Sequence, residues 1–157
     1  MSKLVYLAGP IDDTSSDHAK HWRAEASQVL GRYGIHAFNP YLAYNLVPRT
    51  MMGVAKQVLA VNETAIRVSD AVIVNLAVPG KGIGSIREMD LAVRLGLPVA
   101  AVTGDNHKRL ALHDVNSFQS LADACEWLVK TLSMGTVSPD IDNQAAGVVR
   151  FVGGDGG

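Results

Sequence analysis

The chain is expected to fold as a three-layer α/β domain, with a five-stranded, mostly parallel sheet between two layers of helices. Two observations lead there. Short apolar runs alternate with longer stretches of helical periodicity almost from end to end, and that alternation builds a parallel sheet with right-handed crossovers. In addition, the third apolar run reads as a buried strand and is followed by a glycine-rich loop that opens a helix, the arrangement in which open α/β sheets bind ligands.

The elements follow in order. Leu4–Ala8 is a short apolar run closed by Gly9-Pro10 and forms the first strand. Residues 11–16 are a polar loop, and Asp17 can cap the helix in which Trp22, Ala26, Val29, Leu30 and Tyr33 recur at helical spacing. Gly34 ends that helix, and Ile35–Phe38 forms the second strand, stopped by Asn39-Pro40. Tyr41, Leu42, Tyr44, Leu46, Met51 and Met52 surround Pro48 and read as an apolar connection facing a ligand or a subunit. Val54–Val68 is helical in period, and residues 71–76 are the third strand. Residues 85–95 form the next helix, ended by Gly96 and Pro98; Val99–Val102 is the fourth strand and Leu110–His113 the fifth. Phe118–Leu132 is a final amphipathic helix with Phe118, Leu121, Ala122, Cys125 and Leu128 on one face. Strands one and three are expected to be neighbours at the switch point, in the order 2-1-3-4-5. The domain is expected to span residues 1–133. Residues 134–157, rich in Gly, Asp and small side chains, form a poorly ordered tail in which 147–152 can dock as an edge strand or on another subunit.

Composition narrows the function. A chain of 157 residues with 48% hydrophobic and 18% charged residues is a single compact domain. A net charge of −1 gives no electrostatic reason to bind nucleic-acid polymers or acidic membranes. The one cysteine, Cys125, falls in an apolar helical stretch and reads as a packed, inert thiol. Met1-Ser-Lys leads directly into the first strand, and no apolar stretch approaches the roughly 20 residues that span a bilayer. A cytoplasmic protein is expected.

Chemistry concentrates on two loops, Tyr6–Asp12 after the first strand and 79–88 after the third. They would share one cleft, which Gly9, Gly82 and Gly84 let backbone and ligand approach closely. Glu88 is placed on the first turn of its helix, where free N–H groups and the helix dipole favour an ionised carboxylate and a neighbouring anionic ligand. Ser85-Ile-Arg-Glu88 also matches a capping box, a purely structural role. Tyr6 can bond a carboxylate across the cleft or serve as a core tyrosine. Several site types drop out. Lys81 precedes Gly82 instead of following a glycine at a helix start, so the loop is no triphosphate-binding P-loop. The third strand ends in Asn75-Leu76, against a phosphoacceptor aspartate. His18, His21, His36, His107 and His113 lack metal-ligand spacing, and Ser85 has no nearby histidine base. A glutamate in a glycine-lined cleft suits attack on an acetal-like carbon such as C1 of a nucleoside sugar.

The residues then resemble a known family. Tyr6-Leu-Ala-Gly-Pro10, Asn39-Pro40, Ser69-Asp70-Ala-Val-Ile-Val74 and the block from Gly84-Ser85-Ile-Arg-Glu88 through Ala92, Gly96 and Pro98 are similar to the nucleoside 2-deoxyribosyltransferases and related nucleoside 5′-monophosphate N-glycosidases. The likeness runs from about residue 3 to residue 132. It implies a Rossmann-like (flavodoxin-like) fold, no metal or organic cofactor, a small-molecule nucleoside or nucleotide partner, and a homodimer or dimer-based oligomer. It further implies Glu88 as the nucleophile that attacks C1 and expels the base, Tyr6 as the residue that orients it, and Ala8, Gly9, Pro10, Gly84 and Ser85 as substrate contacts. The chain departs from the pattern at two places: Gly82 stands where transferases carry an aspartate, and Asn62 where a second, base-contacting aspartate falls. Asp12, Asp13 and Asp90 are then the candidates to protonate the leaving base. Two other readings stay open: a non-catalytic nucleotide-binding module using the same cleft, and a phosphoribohydrolase of the lysine-decarboxylase-like type, whose glycine loop Pro79–Glu88 faintly resembles.

Overall fold

The structure, a computed structural model of the chain, describes residues 2–11, 16–44, 52–77, 83–104 and 115–134. Among these, β1 (Leu4–Ala8), β2 (His36–Phe38), β3 (Ala71–Asn75), β4 (Val99–Val102) and β5 (Asn116–Phe118) form one sheet in the order β2-β1-β3-β4-β5. Every pairing is parallel. Helices α1 (Ser16–Gly31) and α5 (Leu121–Met134) pack on one face, α3 (Met52–Arg67) and α4 (Ile83–Arg94) on the other, and a short α2 (Pro40–Tyr44) follows β2.

Coverage on both faces explains why the central strands are apolar up to Asn75, the last residue of β3. In β1, Val5 and Leu7 join the core beneath α1 and α5, while Tyr6 and Ala8 join the core beneath α3 and α4. β3 divides the same way, Ala71 and Ile73 against Val72 and Val74. All eight of these side chains are fully buried, as the period of two requires when neither face meets water. Each fully buried Val, Leu or Ile contributes about 1.5–3 kcal/mol, so the platform beneath the β1 and β3 loops is firmly held.

The helices stop where the sequence provides left-handed residues. Gly34 (φ 72°) ends the turn after α1, with Ile35 N–H donating to Leu30 O at 3.1 Å and Gly34 N–H to Gly31 O at 3.1 Å. Gly96 (φ 75°) repeats the pattern after α4, with Leu97 N–H on Ala92 O and Gly96 N–H on Val93 O. Both are Schellman caps, and in each the residue after the glycine enters or packs on the core. Asp70 joins β1 to β3 at their starts: its Oδ2 accepts from Leu4 N–H at 2.8 Å, and its own N–H donates to Leu4 O at 2.7 Å. Asn39 caps α2, its Oδ1 accepting from Tyr41 N–H at 3.0 Å.

Several sequence expectations are corrected. The fifth strand is Asn116–Phe118; the run Leu110–His113 lies outside the described residues. Phe118 is consequently a strand residue, and the last helix begins at Leu121, although Phe118 still packs against Trp127 at 5.6 Å between ring centroids. Part of the connection after β2 is the short helix α2. The 45–51 segment and the tail from residue 135, including 147–152, lie outside the described residues. α4 begins at Ile83, so Glu88 stands on its second turn. No described helix is long and apolar enough to cross a membrane.

Candidate active site

β1, α3 and α4 bring three polar side chains together on one face of the sheet. Tyr6 points to that face because Val5 and Leu7 occupy the other. Its hydroxyl donates to Glu88 Oε2 at 2.6 Å, a contact between residues 82 positions apart. Phe38 of β2 stacks on the Tyr6 ring at 5.6 Å with an interplanar angle of 12°, which fixes the direction of the hydroxyl. Asn62, on α3, lies beside Glu88, and its amide acts to lower the carboxyl. Asn62 is only 8% exposed, and its Oδ1 has no partner. The amide thus stands next to the carboxyl with a buried acceptor unpaired.

This geometry replaces the capping box. Ser85 is the third residue of α4 and already helical, so it is not the cap, and the Glu88 carboxyl is held by Tyr6. Ser85 is buried at 3% exposure, beside the exposed Gly84. Ala8, Gly9 and Pro10 are buried at the carboxyl end of β1. Asp12, Asp13 and Gly82 lie outside the described residues. Asp90 is removed as a proton donor: two positions after Glu88 it faces elsewhere, where it pairs with Arg94 at 3.0 Å in an exposed i,i+4 bridge.

The sequence reading missed Arg23, which is completely buried. Its Nη2 donates to Gly9 O at 2.8 Å and its Nη1 to Ala19 O at 2.9 Å, while the guanidinium carbon sits 4.7 Å from the centroid of the Trp22 ring. Arg23 Nε and Trp22 Nε1 have no partner. A signal existed: Arg23 falls four residues after Ala19 and three before Ala26, on the inward stripe of α1. An arginine on a core stripe needs a reason, and here it ties the α1 helix to the turn after β1. That turn is tight. A Cβ on Gly9 would stand 2.7 Å from Trp22 Cζ2 and 3.3 Å from Arg23 Nη2.

The electrostatics differ from the dipole argument. Burial raises the Glu88 carboxyl above its ordinary range, against the lowering effects of the Tyr6 hydroxyl, the Arg23 cation and the Asn62 amide. On the second turn the carboxyl has already lost most of the helix-end field, which fades within the first turn. Tyr6 is pushed far up, by burial first and by the Glu88 charge second, so it remains a protonated donor. Burial lowers Arg23 to about 10, which still leaves it cationic at neutral pH. The result is a shielded carboxyl with a fixed donor, and its elevated basicity favours attack on carbon.

Other groups are placed plainly. Cys125 is fully buried and its thiol is raised to about 11 by burial and by Glu25. His18 and His21 are exposed on α1. Among the described residues no group of three or more His, Cys, Asp or Glu is arranged to hold a metal ion.

Comparison with known proteins gives this site a context. Residues 5–130 match the family model described as nucleoside 2-deoxyribosyltransferase. Curated protein sequences returned no match. Among solved structures, a 2-desoxiribosyltransferase from Leishmania mexicana superposes with a TM-score of 0.64 at 19% identity, covering 82% of this chain and 97% of that one. The 2-deoxyribosyltransferase from Bacillus psychrosaccharolyticus gives 0.65 at 22% identity, covering 82% and 95%. A molybdenum cofactor carrier protein from Chlamydomonas reinhardtii gives 0.54 at 14% identity, covering 85% and 99%. At these identities the structural likeness is one of fold.

Proposed function

We propose that this chain, which belongs to the nucleoside 2-deoxyribosyltransferase family, cleaves the N-glycosidic bond of a nucleoside or nucleoside 5′-monophosphate with Glu88 as nucleophile. One observation carries the reading: a half-buried carboxyl at the carboxyl edge of the sheet, held at 2.6 Å by a tyrosine hydroxyl, with the Asn62 amide beside it. A structural carboxylate with this cost of burial gains nothing that a glutamine would not provide.

In the first step a Glu88 carboxylate oxygen bonds to sugar C1 as the C1–N bond breaks, and the bonding electron pair leaves with the base. Tyr6 keeps the carboxylate in one orientation, which lowers the entropic barrier to attack. Asn62 has no acidic proton to give, so Asp12 or Asp13 is the proposed proton source for the departing base. Gly82, Gly84, Ser85 and the Ala8-Gly9-Pro10 turn are the proposed substrate contacts, with the α4 N-terminus available to a 5′-phosphate or hydroxyl. In the second step an acceptor base or water attacks C1 and releases Glu88. The oligomer implied by the family, a dimer or dimer-based assembly, belongs to this proposal as well.

The test is base release from deoxynucleosides and nucleoside monophosphates, followed by chromatography, for the native chain and for Glu88→Ala. A loss of roughly 10²-fold or more is expected for a covalent nucleophile, and full turnover by the variant would rule the mechanism out. A second reading, a nucleotide-binding module without turnover, is favoured by the neutral Asn62 and by the carrier protein that shares this fold. It would show itself as ligand-dependent melting shifts with no free base.

A further inference from the structure

The unpartnered oxygen of Asn62 lies beside the group proposed to attack the sugar. An amide oxygen buried without a partner costs about 1–3 kcal/mol, and a side chain 8% exposed has little access to bulk water. The Asn62 amide is close enough to Glu88 to act on its carboxyl, so this unpaired oxygen belongs to the immediate surroundings of the nucleophile. A substrate seated at Glu88 would bring its own donors within reach of this oxygen.

Stereochemistry names the occupant. In natural nucleosides the base stands on the β face of the sugar, so displacement at C1 brings the carboxylate to the α face. A ribose carries its 2′- and 3′-hydroxyls on that same α face. The 2′-hydroxyl is bonded to the carbon adjacent to C1, and so lies nearest the line of attack. It can donate a hydrogen bond to an acceptor that stands beside the attacking carboxylate. A 2-deoxyribose has nothing to offer there.

We infer that Asn62 determines sugar specificity in this chain, its Oδ1 accepting from the 2′-hydroxyl of a bound ribonucleoside or ribonucleotide, so that ribosyl substrates are preferred over 2′-deoxyribosyl ones. The inference rests on the proposed cleavage at C1. An asparagine suits the role better than an aspartate, because it can donate to Glu88 and accept from the sugar at once. A second carboxylate could only accept and would repel the first.

The experiment measures base release from the four common ribonucleoside 5′-monophosphates, their 2′-deoxy counterparts and a 3′-deoxy counterpart, with the native chain and with Asn62→Ala. The quantity compared is the ratio of kcat/KM for the ribo- and 2′-deoxy substrates of one base. Both rates come from one preparation, so any loss of folded protein cancels. The native chain should favour the ribonucleotide about tenfold or more, and Asn62→Ala should bring that ratio down by about tenfold. Equal loss on both substrates, an unchanged ratio, or a native preference for the 2′-deoxy sugar would overturn the inference while leaving Glu88 chemistry standing. So would a ratio that responds only to the 3′-hydroxyl. No base from any substrate would remove the cleavage reading, and this inference with it.

Discussion

Replacing Tyr6 with phenylalanine removes one oxygen and little else. The ring is fully buried and stacked on Phe38, and phenylalanine keeps that packing. What is lost is a 2.6 Å hydrogen bond to Glu88 Oε2. A hydrogen bond to a charged group contributes about 1.5–3 kcal/mol, and each 1.36 kcal/mol is tenfold in rate. If that donor is what holds the carboxylate for attack, kcat/KM at neutral pH should drop roughly 10- to 150-fold. The pH profile should move too. Tyr6 lowers the Glu88 carboxyl against the raising effect of burial, so without it the carboxyl rises further. The ionised form then appears only at higher pH, and the acid limb of kcat/KM shifts upward. The assay is base release across a pH series, with circular dichroism to confirm the fold. A variant with native kcat/KM and an unmoved acid limb would refute the reasoning, because the contact would then be a packing detail.

Two further outcomes follow from the same geometry. The folded-state value of Glu88 is raised above its unfolded one; its contribution to stability is therefore full below the unfolded range and is lost as pH rises through the raised value. Glu88→Gln, neutral at every pH, should melt at a higher temperature than the native chain at neutral pH or above, with the gap closing in acid; calorimetry showing the reverse trend would contradict it. Gly9→Ala must displace Trp22 Cζ2 from 2.7 Å toward an ordinary contact of about 3.5–4.0 Å, an overpacking cost of about 1–3 kcal/mol. The urea midpoint should fall with an unchanged slope, and activity should fall with it because the Arg23 bond to Gly9 O is disturbed; an unaltered midpoint would show that the turn has slack.

The fold was legible because its signals are local. The mainly apolar runs 4–8, 71–76 and 99–102 are strands to within a residue, since runs this short, bounded by turn residues, fit strands covered on both faces. Gly34 and Gly96 end helices because a left-handed residue is required there. β5 was misplaced for the opposite reason. Asn116–Phe118 is a three-residue edge strand with one exposed position, too short and polar to show a period. It is held by its pairing to β4 and by Thr103 N–H donating to Phe118 O at 2.9 Å. In the same way, Ser69-Asp70 and Asn39, parts of the family likeness, proved to serve strand and helix ends among the described residues.

From the residues alone came the α/β class, the strand order, the family, and Glu88 and Tyr6 as the pair of interest, because periodicity, turn chemistry and motif spacing are written along the chain. Only folding decided what surrounds that pair. Arg23 arrives from α1 at Gly9, Asn62 from α3 beside Glu88 and Phe38 from β2 against Tyr6, and no spacing in sequence records that these elements will meet there. The protonation behaviour of Glu88 belongs to the same category, since burial outweighs the local helix field and burial is a property of the assembled layers.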